Sequence, residues 1–194
     1  MKKINLILAG VAVAGLLQAC SGSKSTTSSD STAVKTDSSS TTTIKTDSSA
    51  MMMADTTFAA KAAVGGMAEV ALGKMAQEKG MDSKVKDFGK MMVMDHGKAN
   101  AELMSIAKSK NLVLPTTLDA EHQAKSDSLS KLSGAAFDKA YVKAMVEGHQ
   151  KTLALMQSEA SNGKDADLKG FAAKTAPVVQ SHLTEIQKIS DGLK

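Results

Sequence analysis

From Asp55 to the C-terminal residues the apolar side chains recur with the 3.6-residue period of an α-helix, interrupted only by short breaks. The breaks are Gly80, the stretch from Asn111 to Pro115, Ser133-Gly134 and Asn162-Gly163, all residues that stop helices or form turns. Four long segments follow: about Thr56 to Lys79, Asp82 or Ser83 to near Asn111, about Ala135 to Ala160, and near Asp165 to about Asp191. Each carries one apolar stripe, and a helix with one apolar stripe must bury it against other helices. Few aromatic residues (four Phe, one Tyr, no Trp) among many Ala, Met, Leu and Lys oppose a sheet. The expectation is an all-α four-helix bundle over residues 55–194.

The middle connector is too long for a simple up-down turn. It holds a shorter helix, expected from Leu114-Pro115-Thr116-Thr117, with Pro115 in its first turn, to about Leu132. Such a connector can cross the length of the bundle and bring the second and third long helices parallel, the ferritin-like arrangement with an extra short crossover helix. An up-down bundle with the fifth helix packed outside is the other solution. Pro177 falls inside the last helix and should kink it.

The two hairpins resemble each other. Val85-Lys86-Asp87-Phe88 opens the second helix as Leu168-Lys169-Gly170-Phe171 opens the fourth. Glu69 precedes Phe88 and His96 follows it; His149 precedes Phe171 and His182 follows it, both displaced outward by about three residues. Antiparallel pairing keeps the two members of each pair level, so one polar residue per helix reaches the bundle centre.

All four interrupt apolar stripes: Glu69 lies between Gly65 and Leu72, His96 between Met92 and Leu103, His149 between Met145 and Met156, His182 between Val179 and Ile186. One carboxylate and three imidazoles form a sensible donor set for Zn, Fe or Cu. The same set could satisfy itself without metal: Glu69 pairing with one protonated His, and two neutral His bonding to Thr152, Thr175 or Tyr141. A dinuclear iron site demands Glu-x-x-His pairs, yet Val93, Val146 and Val179 stand three before the histidines. Asp95, Glu147 and Glu185 read as flank or solvent residues, with Asp95 able to support a ligand from behind. His122 reads as a surface residue. Met75, Met92, Met104, Met145 and Met156 read as core filler. No nucleophile–base arrangement, phosphate loop or second Cys suggests an enzyme. All 24 basic residues are Lys and the net charge is only +4, which gives no case for nucleic acid.

Several motifs in order carry a family resemblance: Gly65-Gly66-Met67-Ala68-Glu69-Val70, Asp95-His96-Gly97-Lys98-Ala99-Asn100, Leu114-Pro115, Leu118-Asp119-Ala120-Glu121-His122, Gly134-Ala135-Ala136-Phe137-Asp138, Tyr141, His149-Gln150 and His182-Leu183. Over about residues 55–190 the chain resembles the bacterial domain of unknown function 4142 family, labelled outer-membrane or periplasmic and grouped with ferritin-like folds. The resemblance implies an exported ferritin-like bundle and no established activity. The Glu and His positions above coincide with polar positions of the family's motifs.

Residues 1–20 read as an export signal, with Lys2 and Lys3 before an apolar run too short to span a bilayer. Leu17-Gln18-Ala19-Cys20 resembles a lipobox, although Gln18 replaces the usual small residue. Ordinary cleavage after Ala19 would leave a lone thiol with no disulfide partner, so lipidation of Cys20 explains it better. Ser21 is not the Asp that retains lipoproteins at the inner membrane, which favours the outer membrane, facing the periplasm. Residues 21–54, Ser/Thr-rich, read as a disordered tether with a mean reach of roughly 30–35 Å. The reading from sequence is thus an envelope protein held by an N-terminal lipid. It either binds a transition metal centrally or serves as a metal-free structural or interaction module; its protein partners are not legible. Cys20→Ala is expected to abolish membrane retention; unchanged membrane fractionation refutes the anchor.

Overall fold

The computed structural model describes residues 43–193, with side chains from Met52, so the signal segment, Cys20 and most of the tether lie outside the described residues. Five helices and no strand occur among the described residues: α1 (Thr43–Lys79), α2 (Ser83–Ser109), α3 (Ala120–Ser130), α4 (Gly134–Asn162) and α5 (Ala166–Gly192). Helix α1 starts well ahead of the expected Thr56, so residues 43–54, read as the end of the tether, are helical. Thr56 and Thr57 add side-chain bonds to the carbonyls of Met52 and Met53, one turn back. Among the described residues no helix is long and apolar enough to cross a membrane.

Two aspartates fix the topology. Asp138, near the start of α4, accepts from the backbone N–H groups of Met81 (3.0 Å) and Asp82 (2.8 Å) in the α1–α2 turn. Asp55, in α1, accepts from Lys164 (3.2 Å) and Asp165 (2.7 Å) in the α4–α5 turn. Helix α4 therefore begins at the end where α1 stops, and α5 begins near residue 55. Consequently α2 and α4 run parallel, α1 and α5 run parallel, and α3 makes the crossover. α1 packs on α2 and α4, and α5 packs on α4 and α2. This is the long-crossover bundle expected from the connector.

Asp82 and Asp165 cap α2 and α5, each through its side chain. The same 83-residue offset relates Asp55 to Asp138, Phe58 to Tyr141, Gly80 to Gly163, Asp82 to Asp165 and Phe88 to Phe171. The aromatic members pack edge to face across the hairpins: Phe58 on Phe171 and Phe88 on Tyr141, both with centroids 6.4 Å apart. Each hairpin thus receives from the other both an aromatic ring and the cap of its turn. Within the first hairpin, α1 and α2 touch backbone to backbone: a Cβ on Gly73 would lie 2.6 Å from the Gly89 carbonyl, and one on Gly89 equally close to the Gly73 carbonyl.

The connector departs from expectation. Asn111 ends α2 in the left-handed region, at φ 56°. Pro115 lies in an irregular stretch instead of a first helical turn. Asp119 supplies the better cap, its carboxylate accepting from the N–H of His122 at 2.9 Å, so α3 starts only there. Met104 is 63% exposed and so is not core filler, unlike Met92, Met145 and Met156.

Glu159 breaks the two-fold pattern, since its counterpart 83 residues earlier is the fully buried Ala76. It is buried against Asp55 and has one oxygen without a hydrogen-bond partner. Burial, reinforced by the charges of Asp55 and Asp165, pushes its carboxyl up to about 7. A carboxyl raised on folding takes up a proton, so its contribution to stability is present at acid pH and is lost as pH rises through about 7. Glu159→Gln is expected to raise stability at pH 8 by about 1 kcal/mol with little change at pH 5, read by urea denaturation. Equal effects at both pH values would contradict this.

Candidate metal centre

The residues picked out on separate helices meet in the interior. Glu69, His96, His149 and His182 are 4%, 5%, 0% and 2% exposed, one from each long helix. Phe88 closes one side, its ring 5.8 Å from that of His149 and 6.3 Å from that of His182. The three imidazole rings face one another with centroids 5.3–5.6 Å apart.

Each imidazole has one nitrogen engaged and one free. His96 Nδ1 lies 2.8 Å from Glu69 Oε2. His149 Nδ1 donates to the Met145 carbonyl, one turn back, at 2.9 Å. His182 Nε2 donates to Asp95 Oδ2, also at 2.9 Å. The opposite nitrogens, His96 Nε2, His149 Nε2 and His182 Nδ1, are buried and have no partner. One nitrogen of each ring lies within 4.8 Å of the other two.

Glu69 does not stand in that group of three. Its Oε1 accepts from Thr152 at 3.4 Å and lies 3.6 Å from His149 Nδ1, so it braces the rings from behind. Asp95, placed on a flank by helical phase, is drawn into the site by its bond to His182. That is the supporting position behind a ring that the sequence left open to it. Glu147 and Glu185 are exposed. His122 is partly exposed, away from the three histidines, with Nδ1 2.6 Å from Asp119 Oδ1.

Burial alone would push the Glu69 carboxyl up, but the attraction and hydrogen bond of His96, then His149 and His182, hold it below its ordinary value of 4.5. Burial acts against a charge on His96 too, yet Glu69 and Asp95 outweigh it and raise that ring above 6.5. His149 and His182 are lowered, first by burial and then by neighbouring imidazoles. At pH 6.5 these directions favour one ion pair, Glu69 with His96, and two neutral rings. The bonds at their other nitrogens fix the neutral tautomers, leaving lone pairs on His149 Nε2 and His182 Nδ1.

The metal-free pairing considered from sequence would have given the neutral histidines hydroxyl partners. Thr152 goes to Glu69 instead, and the Tyr141 hydroxyl is buried with no partner.

A family model described as Domain of unknown function (DUF4142) matches residues 40–189, and the chain belongs to that family. No curated relative matches. Among solved structures the chain is similar to CopM in its silver-bound form, obtained by co-crystallization. The TM-score is 0.59 at 13% sequence identity, covering 71% of this chain and 96% of that one. At that identity the likeness is one of fold.

The protonation pattern has opposite consequences on the two sides of pH 6.5. Below it, His149 and His182 must take up protons only on unfolding, so folding is disfavoured by up to about 1.4 kcal/mol per pH unit for each ring. Above it, the contribution of His96, raised by folding, is lost as pH rises through its folded value. In Glu159→Gln protein kept metal-free with chelator, unfolding free energy between pH 5 and 8 should pass through a maximum near 6.5. A monotonic profile would refute the assignment.

Proposed function

We propose that this chain is an exported, lipid-anchored envelope protein that binds one transition-metal ion through His96, His149 and His182. The observation that carries the reading is that one nitrogen of each buried ring lies within 4.8 Å of the other two, while each ring keeps one nitrogen unpartnered and has the other beside an acceptor. Histidines that ligate metals are commonly oriented in this way, by a carboxylate or a backbone carbonyl. Here Glu69, the Met145 carbonyl and Asp95 fill those roles. Glu69 acts as a positioning residue in this reading, not as a fourth ligand.

A metal-free network would leave those three nitrogens buried and unsatisfied, at about 1–3 kcal/mol each. An ion replaces the proton on His96 and uses all three. Donors at about 2.0–2.1 Å from one ion stand roughly 3.3–3.5 Å apart, so modest ring rotations suffice. Imidazole donors suit Zn, Cu or Fe. The silver carried by CopM, a bundle of the same fold, supports a transition-metal ligand. The Cys20 lipid would hold this bundle at the membrane, on the periplasmic side of the outer membrane.

Equilibrium dialysis with Zn, Cu and Fe, followed by elemental analysis, should give one ion per chain for at least one of these metals. The triple His→Ala variant should bind none. Glu69→Gln should keep the stoichiometry and weaken affinity about 10–100-fold. Wild-type protein without stoichiometric metal would sink the reading.

A further inference from the structure

The three imidazoles are sealed in the bundle, so an ion must reach them from somewhere. A groove of about 510 Å³ opens between α1 and α4 beneath α3, and Glu69 lies on its wall. This carboxylate is only 4% exposed, and its oxygens contact His96 and His149. The groove therefore extends from solvent to the residue that touches two of the three rings. His122 and Asp119 also line it, at the start of α3, paired at 2.6 Å. Helix α3 has a single buried residue, Leu129, and is tied down by Lys151 to Glu121 and Lys79 to the Ser130 carbonyl. Asp95 offers another polar link to the surface, but its carboxylate is occupied by the His182 N–H.

We propose that this groove is the entry route of the ion: His122 and Asp119 form a capture site at its mouth, and its inner end, at Glu69, abuts the rings of His96 and His149. The proposal rests on the metal-binding reading above. A ring nitrogen and a carboxylate oxygen at the mouth are donors for an aquated ion of the class the interior takes. The capture site is open and two-sided, so it affects how fast the ion arrives more than how tightly it is finally held.

The test separates rate from affinity. Metal-free full-length protein is mixed with Co²⁺ in a stopped-flow instrument, and visible absorption follows entry into the imidazole site. Bound Co²⁺ is then counted at equilibrium in the same samples. His122→Ala/Asp119→Asn, in which Asn preserves the α3 cap, should load at least tenfold more slowly with the same final stoichiometry. Gly65→Leu should plug the groove, because Gly65 lines it and a Cβ there meets nothing within 4 Å. It too should slow loading by at least tenfold. Gly170→Leu, equally free of contacts but on exposed α5 surface, should load as wild type. Unchanged rates in both groove variants, with full equilibrium binding, overturn the route while leaving the imidazole site standing. Wild-type protein that takes up neither Co²⁺ nor any of Zn, Cu and Fe at equilibrium overturns both. Equal slowing in Gly170→Leu also overturns the route, because the effect would then not depend on the groove.

Discussion

A carboxylate at the centre of a helical bundle is tolerable only if something nearby carries a positive charge, and here His96 does. The Glu69–His96 contact decides the character of the whole interior. It keeps Glu69 ionised despite its burial and holds the proton on His96, and that charge in turn discourages protonation of His149 and His182. One charged pair and two neutral rings is therefore the state the packing selects. It is also close to the state a cation requires, since two rings already carry a lone pair on an unpartnered nitrogen and the third is masked by one displaceable proton.

Two structural devices deliver these groups to one place. The first is the long crossover, which makes α2 and α4 parallel and lets mid-helix residues from both hairpins face each other. The second is the approximate two-fold pattern, in which corresponding aspartates cap the opposite hairpin's turn and corresponding aromatic rings pack across. The polar residues do not obey that symmetry. Position 69 corresponds to Thr152 and position 96 to Val179, while His149 and His182 correspond to Gly66 and Ala99. The scaffold is nearly repeated, and its contents are not. The one carboxylate and three imidazoles are therefore a property of the pair of hairpins and not of either one.

The helical period marked all four long helices and their order, because a buried stripe leaves a regular trace in sequence. It also marked Glu69, His96, His149 and His182, since a polar residue stands out on an apolar face. It could not say which oxygen or nitrogen of the four faces inward, which only the side-chain geometry shows. Asp95 was placed on the flank, with a role behind a ligand left open, because helical phase treats a side chain as a point on a wheel, whereas an aspartate on the flank can lean toward a ring on the next helix. Asp55 and Asp138 could have been found: Asp55-Thr56-Thr57-Phe58 and Asp138-Lys139-Ala140-Tyr141 repeat the same Asp-x-x-aromatic spacing at the offset that matches Phe88 to Phe171. The start of α3 was expected at Pro115, and the Asp119 carboxylate, accepting from the His122 N–H, sets it later in the chain.

The exchanged aspartate caps also bear on how the molecule assembles. In each turn two backbone N–H groups take their acceptor from the other hairpin: Met81 and Asp82 from Asp138, Lys164 and Asp165 from Asp55. A hairpin folded alone would have an open corner and half a set of polar residues facing solvent. Docking closes both corners at once, and the same step brings the imidazoles together. Folding and construction of the centre are thereby one cooperative event, and a partly folded chain has no half-strength version of the site to offer.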